Sequence, residues 1–112
     1  MHPPVYLVFT TCGTREDAER LGQRLVSERL AACATLIPGA ISFYTWKNEP
    51  RRDEEVVLLL KTSAPALAAL EERLIELHSY EVPEFVAVPA ARVAEAYGRW
   101  VAQAVEPPVQ PA

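Results

Sequence analysis

Seven polar or reactive side chains of this 112-residue chain could take part in binding or catalysis: Cys33, Trp46, Glu55, Lys61, His78, Tyr80 and Glu84. His78 ends a helical pattern close to Tyr80, so its imidazole could bind a metal, act as a general base, or cap the last carbonyls of the helix. The thiol of Cys33 could bind a soft metal such as Cu(I), or it could be a small buried apolar residue among alanines.

Three of these side chains belong to predicted strands. Lys61 ends an apolar strand, where its ammonium group either extends to solvent or pairs with a carboxylate such as Glu55, because two-residue alternation places both on one strand face. Trp46 shares a face of the other strand with Tyr44, and both rings could line a pocket or pack against a neighbouring subunit. No nucleophile, base and orienting group can be named together, so an enzyme is not expected.

Composition and motifs disfavour several other classes of protein. The net charge is −4 and no basic stripe is present, so we expect no nucleic-acid partner. Cys12 and Cys33 lack CxxC spacing, which argues against a zinc ribbon or a redox site. Residues 1–12 carry no cationic lead and no apolar run long enough for a signal peptide or a membrane span. We therefore expect a cytoplasmic protein with reduced thiols and no membrane partner.

The longest predicted element is a two-stranded ribbon formed by residues 32–62. Strands are predicted over residues 35–46 and 55–61, and a charged turn over residues 47–52 joins them. If the first half of the ribbon is mostly extended at about 3.3 Å per residue, it spans roughly 50 Å. A compact chain of this size has a radius of gyration of about 13 Å. The ribbon should therefore protrude beyond its own domain.

Pro38 and Gly39 interrupt the first strand of the ribbon. Proline removes a ladder donor and glycine permits a bulge, so this pair should bend the ribbon as it leaves its own sheet. The alternative is a turn between two ordinary strands of one monomer. A protruding ribbon would leave Ile41, Phe43 and Trp46 in water unless another chain covered them, which predicts pairing with a neighbouring subunit.

The remaining elements alternate between strand and helix. The β-branched run over residues 5–11 predicts a buried strand. Thr14, with an acid three residues later, resembles a capping box at the start of a helix, and Gly22 within that helix could mark a close approach to the sheet. A second helix should start at residues 63–65, where proline is tolerated, and should stop near His78.

A short strand over residues 85–88 and a helix within residues 93–104 complete the prediction. The order β-α-β-β-α-β followed by a helix is that of an α+β, ferredoxin-like sandwich. We expect a single domain over residues 1–104 and a proline-rich, disordered tail over residues 105–112.

Several stretches of the chain resemble the CutA family, the divalent-cation tolerance proteins, in the family's order and spacing. They are residues 28–39, residues 42–46, residues 55–62, residues 78–84, Tyr97 and Trp100. The resemblance implies a ferredoxin-like subunit that forms a tight homotrimer, with the ribbons closing the trimer and clefts between subunits. It also implies binding of divalent metal ions, copper especially.

The resemblance implies His78 and, less directly, Cys33 as metal ligands, and we expect Glu84 to join them in a cleft site. Some members carry a cysteine in the first strand and a second histidine before the one at His78, whereas this chain has Thr10 and Leu77 there. One imidazole and one thiol per chain can fill a four-coordinate site only if chains share it.

Three hypotheses for function follow. The first is a trimeric protein that binds divalent cations and takes part in the response to metal ions. The second is a signalling trimer similar to the PII regulatory proteins, which would bind a small molecule in clefts between subunits. Its cleft residues would be Trp46, Glu55, Lys61 and Tyr80. The third is a scaffold without a dedicated ligand.

Overall fold

A computed structural model describes residues 1–107 of the chain as a four-stranded antiparallel sheet with three α-helices. In chain order the elements are β1 (Val5–Cys12), α1 (Arg15–Ser27), β2 (Cys33–Trp46), β3 (Glu49–Ser63), a 3-10 turn (Ala64–Ala66), α2 (Leu67–Leu77), β4 (Val86–Pro89) and α3 (Glu95–Ala104). The strand order is β2-β3-β1-β4. This α+β arrangement is the predicted ferredoxin-like fold. Of the predicted disordered tail, residues 108–112 lie outside the described residues.

The ends of α1 and α2 are set by local sequence. The hydroxyl of Thr14 accepts a hydrogen bond from the amide of Asp17 at 3.1 Å, which confirms the predicted cap of α1. The second helix begins later than predicted, because Pro65 lies in the 3-10 turn and α-helical geometry starts at Leu67. His78 is its C-cap residue, as predicted.

The helices α1 and α2 cover one face of the sheet. Alternate residues of β3, Leu58 and Leu60, are fully buried against them, together with Leu25 of α1 and Leu74 of α2. A Cβ atom on Gly22 would lie 3.2 Å from the Cβ of Ala34, which confirms the predicted close approach of α1 to the sheet.

An ion pair joins the two helices at the surface. Arg73 of α2 donates from Nε and Nη2 to the two carboxylate oxygens of Glu28, at 2.8 and 3.1 Å. This hydrogen bonding lowers the pKa of Glu28 below its ordinary value. The bidentate pair joins the C-terminal end of α1 to α2.

The last helix packs on the opposite face of the sheet. Val101 is fully buried in a second apolar cluster with Val5 and Ala32. The helix begins at Glu95, later than predicted, and Val93 packs against the cluster from the preceding loop. None of the described helices has the length and apolar character needed to cross a membrane.

The ribbon is continuous from Cys33 paired with Lys61 to Trp46 paired with Glu49. Its register shifts between Ile37 and Ala40, and Gly39 adopts a φ of 81°, so Pro38-Gly39 forms a bulge and not the alternative turn. The protein measures 53 × 33 × 21 Å, and its radius of gyration of 15.1 Å exceeds the roughly 13 Å of a compact chain. The predicted protrusion is confirmed.

The predicted turn over residues 47–52 is wrong in length. Only Lys47 and Asn48 form the turn, with φ of 50° and 64°, a left-handed pair that matches the twist of a two-residue hairpin. Pro50 is a strand residue paired with Thr45. Proline is tolerated there because β1 pairs with β3 only from Val56 onward, so the tip of β3 has a free edge.

Candidate functional site

A cavity of about 650 Å³ lies between the ribbon and the segment formed by residues 79–84. Four aromatic side chains line it: Phe43, Tyr44, Trp46 and Tyr80. Four carboxylates also line it: Asp53, Glu55, Glu81 and Glu84. The structure therefore brings Trp46, Glu55, Tyr80 and Glu84, four of the residues predicted from sequence, to one cavity. A volume of this size suits a small molecule.

Glu55 and Tyr80 connect the two walls of the cavity. Only 8% of Glu55 is exposed, and its Oε2 atom accepts a hydrogen bond from the hydroxyl of Tyr80 at 2.7 Å. Burial raises the pKa of Tyr80 well above its ordinary value, and the hydrogen bond to Glu55 adds to this effect. The hydroxyl therefore stays protonated and continues to donate to the buried carboxylate.

His78 lies directly behind Tyr80. Its Nε2 atom donates to the carbonyl oxygen of Thr11 at 2.9 Å, and its Nδ1 atom accepts from the amide of Tyr80 at 3.1 Å. The two rings are 4.8 Å apart. Because both ring nitrogens are engaged, the imidazole holds the Tyr80 backbone in place. Its ring contacts a carbonyl of β1 and not, as one alternative predicted, the last carbonyls of α2.

The nearest thiol to His78 is Cys12, whose Sγ lies 3.9 Å from Nε2. Burial, with the negative charges of Asp17 and Glu55, raises the pKa of Cys12 to about 11. At neutral pH the group is a thiol and not a thiolate, so it is neither a ready nucleophile nor a ready metal ligand.

Two of the predicted site residues lie elsewhere. Cys33 and Lys61 are paired across β2 and β3 at the end of β3 far from Glu55. The alternative in which Lys61 pairs with Glu55 is excluded, because six residues of strand separate the two by about 20 Å. Lys61 instead places Nζ 5.6 Å from the ring centroid of Tyr97.

The predicted metal residues His78, Cys33 and Glu84 do not meet within one chain. Over residues 1–107, no group of three or more His, Cys, Asp or Glu side chains is arranged to hold a metal ion. Cys33 lies near the end of the ribbon that pairs with Lys61, away from the Cys12 end of β1 that His78 contacts. Glu84 is the one of the three that lines the cavity.

The charge in the cavity has one sign. No lysine or arginine is among its lining residues, which include four carboxylates. Burial raises the pKa of Glu84, and the negative charge of Glu55 raises it further. At the mouth, Lys47 places Nζ 5.7 Å from the ring centroid of Trp46 and 3.7 Å from Oε2 of Glu81. The cavity attracts cations and repels anions.

Sequence reasoning missed two acidic residues of this site. Asp53 accepts a hydrogen bond from the hydroxyl of Tyr44, and Glu81 forms the ion pair with Lys47. A signal for Asp53 was present, because it lies two residues before Glu55 and therefore on the same strand face. It was missed because the second strand was predicted to begin only at Glu55, whereas β3 begins at Glu49.

The chain is similar in sequence to known proteins. A family model described as CutA1 divalent ion tolerance protein matches residues 6–104. The divalent-cation tolerance protein CutA of Thermus thermophilus is 42% identical over 95 residues, which are 85% of this chain and 92% of that protein. Protein CutA of Mus musculus is 37% identical over 102 residues, which are 91% of this chain and 58% of that protein.

Solved structures agree with the sequence comparison. The crystal structure of CutA from Xylella fastidiosa has a TM-score of 0.88 and 40% identity to this chain, and the match covers 91% of this chain and 98% of that one. The divalent cation tolerance protein of Thermus thermophilus has a TM-score of 0.87 and 39% identity, with 91% and 99% covered. The chain therefore belongs to the CutA family of divalent-cation tolerance proteins.

Proposed function

We propose that the protein is a cytoplasmic homotrimer that binds divalent metal ions, copper among them, and takes part in the response to metal ions by binding and not by catalysis. The observation that carries this proposal is the one-sided charge of the cavity. Four carboxylates and no basic side chain line a volume of about 650 Å³, which is an environment for a cation. Cys12 and Cys33 form no disulfide within the described residues.

The exposed apolar surface of the ribbon supports self-association. Phe43 is 75% exposed and Ile41 48% exposed, and Val86 and Val88 are exposed on the short edge strand. Both β2 and β4 are edges of the sheet, so their outer backbone groups are available to another chain. A homotrimer built through the ribbons would cover this surface and turn the cavity into a cleft between subunits.

The carboxylates that line the cavity are the first candidates for metal ligands. Glu84, Glu55 and Asp53 offer oxygen ligands, which suit hard divalent ions. Copper binding by His78 would require its Nδ1 atom to release the amide of Tyr80. Cys33 would join such a site only from another subunit. In this proposal, His78 of one subunit and Cys33 of another form a copper site when the trimer assembles.

Calorimetric titration of the metal-stripped protein with Cu(II), Zn(II) and Mn(II), and with Cu(I) under reducing conditions, tests the proposal. The oligomer mass should be measured by light scattering in the same samples. We expect saturable binding at a whole-number ratio per trimer. Glu84→Gln should weaken binding about tenfold, because it removes a charge without changing the shape of the side chain.

A matched control is Glu72→Gln, since Glu72 is an exposed carboxylate of α2 that does not line the cavity. It should leave metal affinity unchanged. His78→Gln and Cys33→Ala should lower the affinity for copper but not for manganese. Weak binding at no defined ratio by an intact trimer, or equal losses in Glu84→Gln and Glu72→Gln, would contradict the proposal.

The alternative is a trimer similar to the PII proteins that binds a small molecule in the cleft. The aromatic walls and the size of the cavity favour it. A nucleotide is disfavoured, because its phosphates would face the carboxylates, and Lys61, the one predicted cleft cation, does not line the cavity. If neither a metal nor a small molecule bound the intact trimer, the scaffold hypothesis would stand.

A further inference from the structure

The mouth of the cavity already holds an alkylammonium group, which the chain itself supplies. The Nζ atom of Lys47 lies over the ring of Trp46 at 5.7 Å and beside Glu81 at 3.7 Å. We propose that the cavity binds an organic polycation, a small aliphatic molecule that carries at least two ammonium groups, and that one ammonium group takes the place of Lys47. This inference rests on the proposed function, since it concerns the same cation-attracting cavity.

The outer subsite is formed by Trp46 and Glu81. An ammonium group within about 6 Å of an indole centroid is attracted by the negative face of the ring, and a carboxylate adds a direct charge interaction. The side chains of Lys47 and Glu81 are 70% and 73% exposed, so their pair is screened by water and easily exchanged. A ligand with a similar group can therefore replace Lys47 at little cost.

The inner subsite is formed by Glu55 and its neighbour Glu84. Glu55 is more than nine-tenths buried, and only its Oε2 atom receives a hydrogen bond from within residues 1–107. Glu84 lines the same cavity and adds a second carboxylate to this subsite. A second ammonium group between them would relieve the repulsion and satisfy the open oxygen.

The aromatic side chains that line the cavity favour an organic cation over a bare metal ion. Phe43 and Trp46 provide no metal ligands, but they can cover the methylene groups between two ammonium centres. The acidic residues are distributed from the ribbon to the segment of residues 79–84, which suits several separated charges. An anionic or neutral metabolite would leave these carboxylates unpaired.

The probe is spermidine, titrated into the metal-free protein by calorimetry. Glu81→Gln and Trp46→Leu should each weaken spermidine binding about threefold to tenfold, because each removes one half of the outer subsite. Lys47→Ala should strengthen it about threefold, because the internal competitor is gone. Glu72→Gln, which removes an exposed charge outside the cavity, should have no effect. Light scattering of every variant verifies that the oligomer is intact.

Several results would overturn the inference. These are no saturable spermidine binding, an equal loss in Glu72→Gln, or weaker binding in Lys47→Ala. Metal titrations of the same variants separate this inference from the proposed function. If metals bind and spermidine does not, the polycation is wrong and the metal proposal stands. If spermidine binds with the expected variant pattern and metals do not, the polycation stands and the metal proposal fails.

Discussion

Replacing Tyr80 by phenylalanine removes one hydroxyl from the cavity wall and leaves the ring in place. That hydroxyl donates at 2.7 Å to Glu55, a carboxylate that is only 8% exposed. No other side-chain hydrogen bond within residues 1–107 involves Glu55. The variant therefore leaves a buried charge without its donor, and we expect the folded state to lose stability.

The magnitude follows from the burial of the pair. A hydrogen bond to a charged group contributes about 1.5–3 kcal/mol. Tyr80 is only half-buried, so water in the cavity can replace part of the bond, and we expect a loss of about 2 kcal/mol. For a chain of 112 residues this corresponds to a fall in Tm of about 8 °C.

Scanning calorimetry at one fixed protein concentration measures this fall, which excludes any effect of concentration on Tm. The matched control is Tyr6→Phe, because Tyr6 is also half-buried and its hydroxyl has no hydrogen-bond partner in the described part of the chain. In the background of Glu55→Gln, Tyr80→Phe should cost about 1 kcal/mol less than in the native chain. A loss below about 0.5 kcal/mol, or one equal to that of Tyr6→Phe, would refute the reasoning.

The remaining predictions concern the core, a thiol and an ion pair. In urea unfolding, Leu58→Ala should lower the free energy of unfolding by about 3 kcal/mol, whereas Val26→Ala, at an exposed position, should lower it by less than about 1 kcal/mol. Similar losses in the two variants would contradict the described core. With a pKa of about 11, Cys12 should react with iodoacetamide at pH 8 about a hundredfold more slowly in the folded protein than in urea. Peptide mass spectrometry would measure both rates, and equal rates would argue against the burial of Cys12. Arg73 lowers the pKa of Glu28, so this pair stabilises the fold above the ordinary glutamate pKa and loses that effect as the pH falls. Arg73→Ala should therefore reduce the urea midpoint more at pH 7 than at pH 3, and an equal reduction at both would disprove the linkage.

Local chemistry in the sequence predicted most of the fold. Three features each depend on residues within a few positions of the feature itself. They are the cap at Thr14, the bulge at Pro38-Gly39 and the helix end at His78. The extent of β3 could not be predicted in this way. Whether Pro50 can lie in a strand depends on whether a second strand pairs there, which is a property of the whole sheet.

The candidate site was predicted in part. Glu55, Tyr80 and Trp46 of the predicted cleft residues share the cavity with Glu84, whereas Lys61 does not line it. Strand alternation places Glu55 and Lys61 on one face of β3, but the six residues between them span about 20 Å, so the alternative of an ion pair is excluded. The hydrogen bond from His78 to the carbonyl oxygen of Thr11 joins segments far apart in the chain, and no sequence pattern predicts such a contact.

The strand order has a consequence for the path by which the chain folds. The ribbon closes through the two residues Lys47 and Asn48, so its ladder can form locally and early. The pairing of β1 with β4 joins Phe9 to Val86 and must close most of the chain as a loop. We therefore expect β4, a strand of only four residues, to dock last and to show the fastest amide exchange in the sheet. Docking of β4 does not cover the ribbon, because β4 pairs with β1, and Ile41 and Phe43 stay exposed in the folded chain.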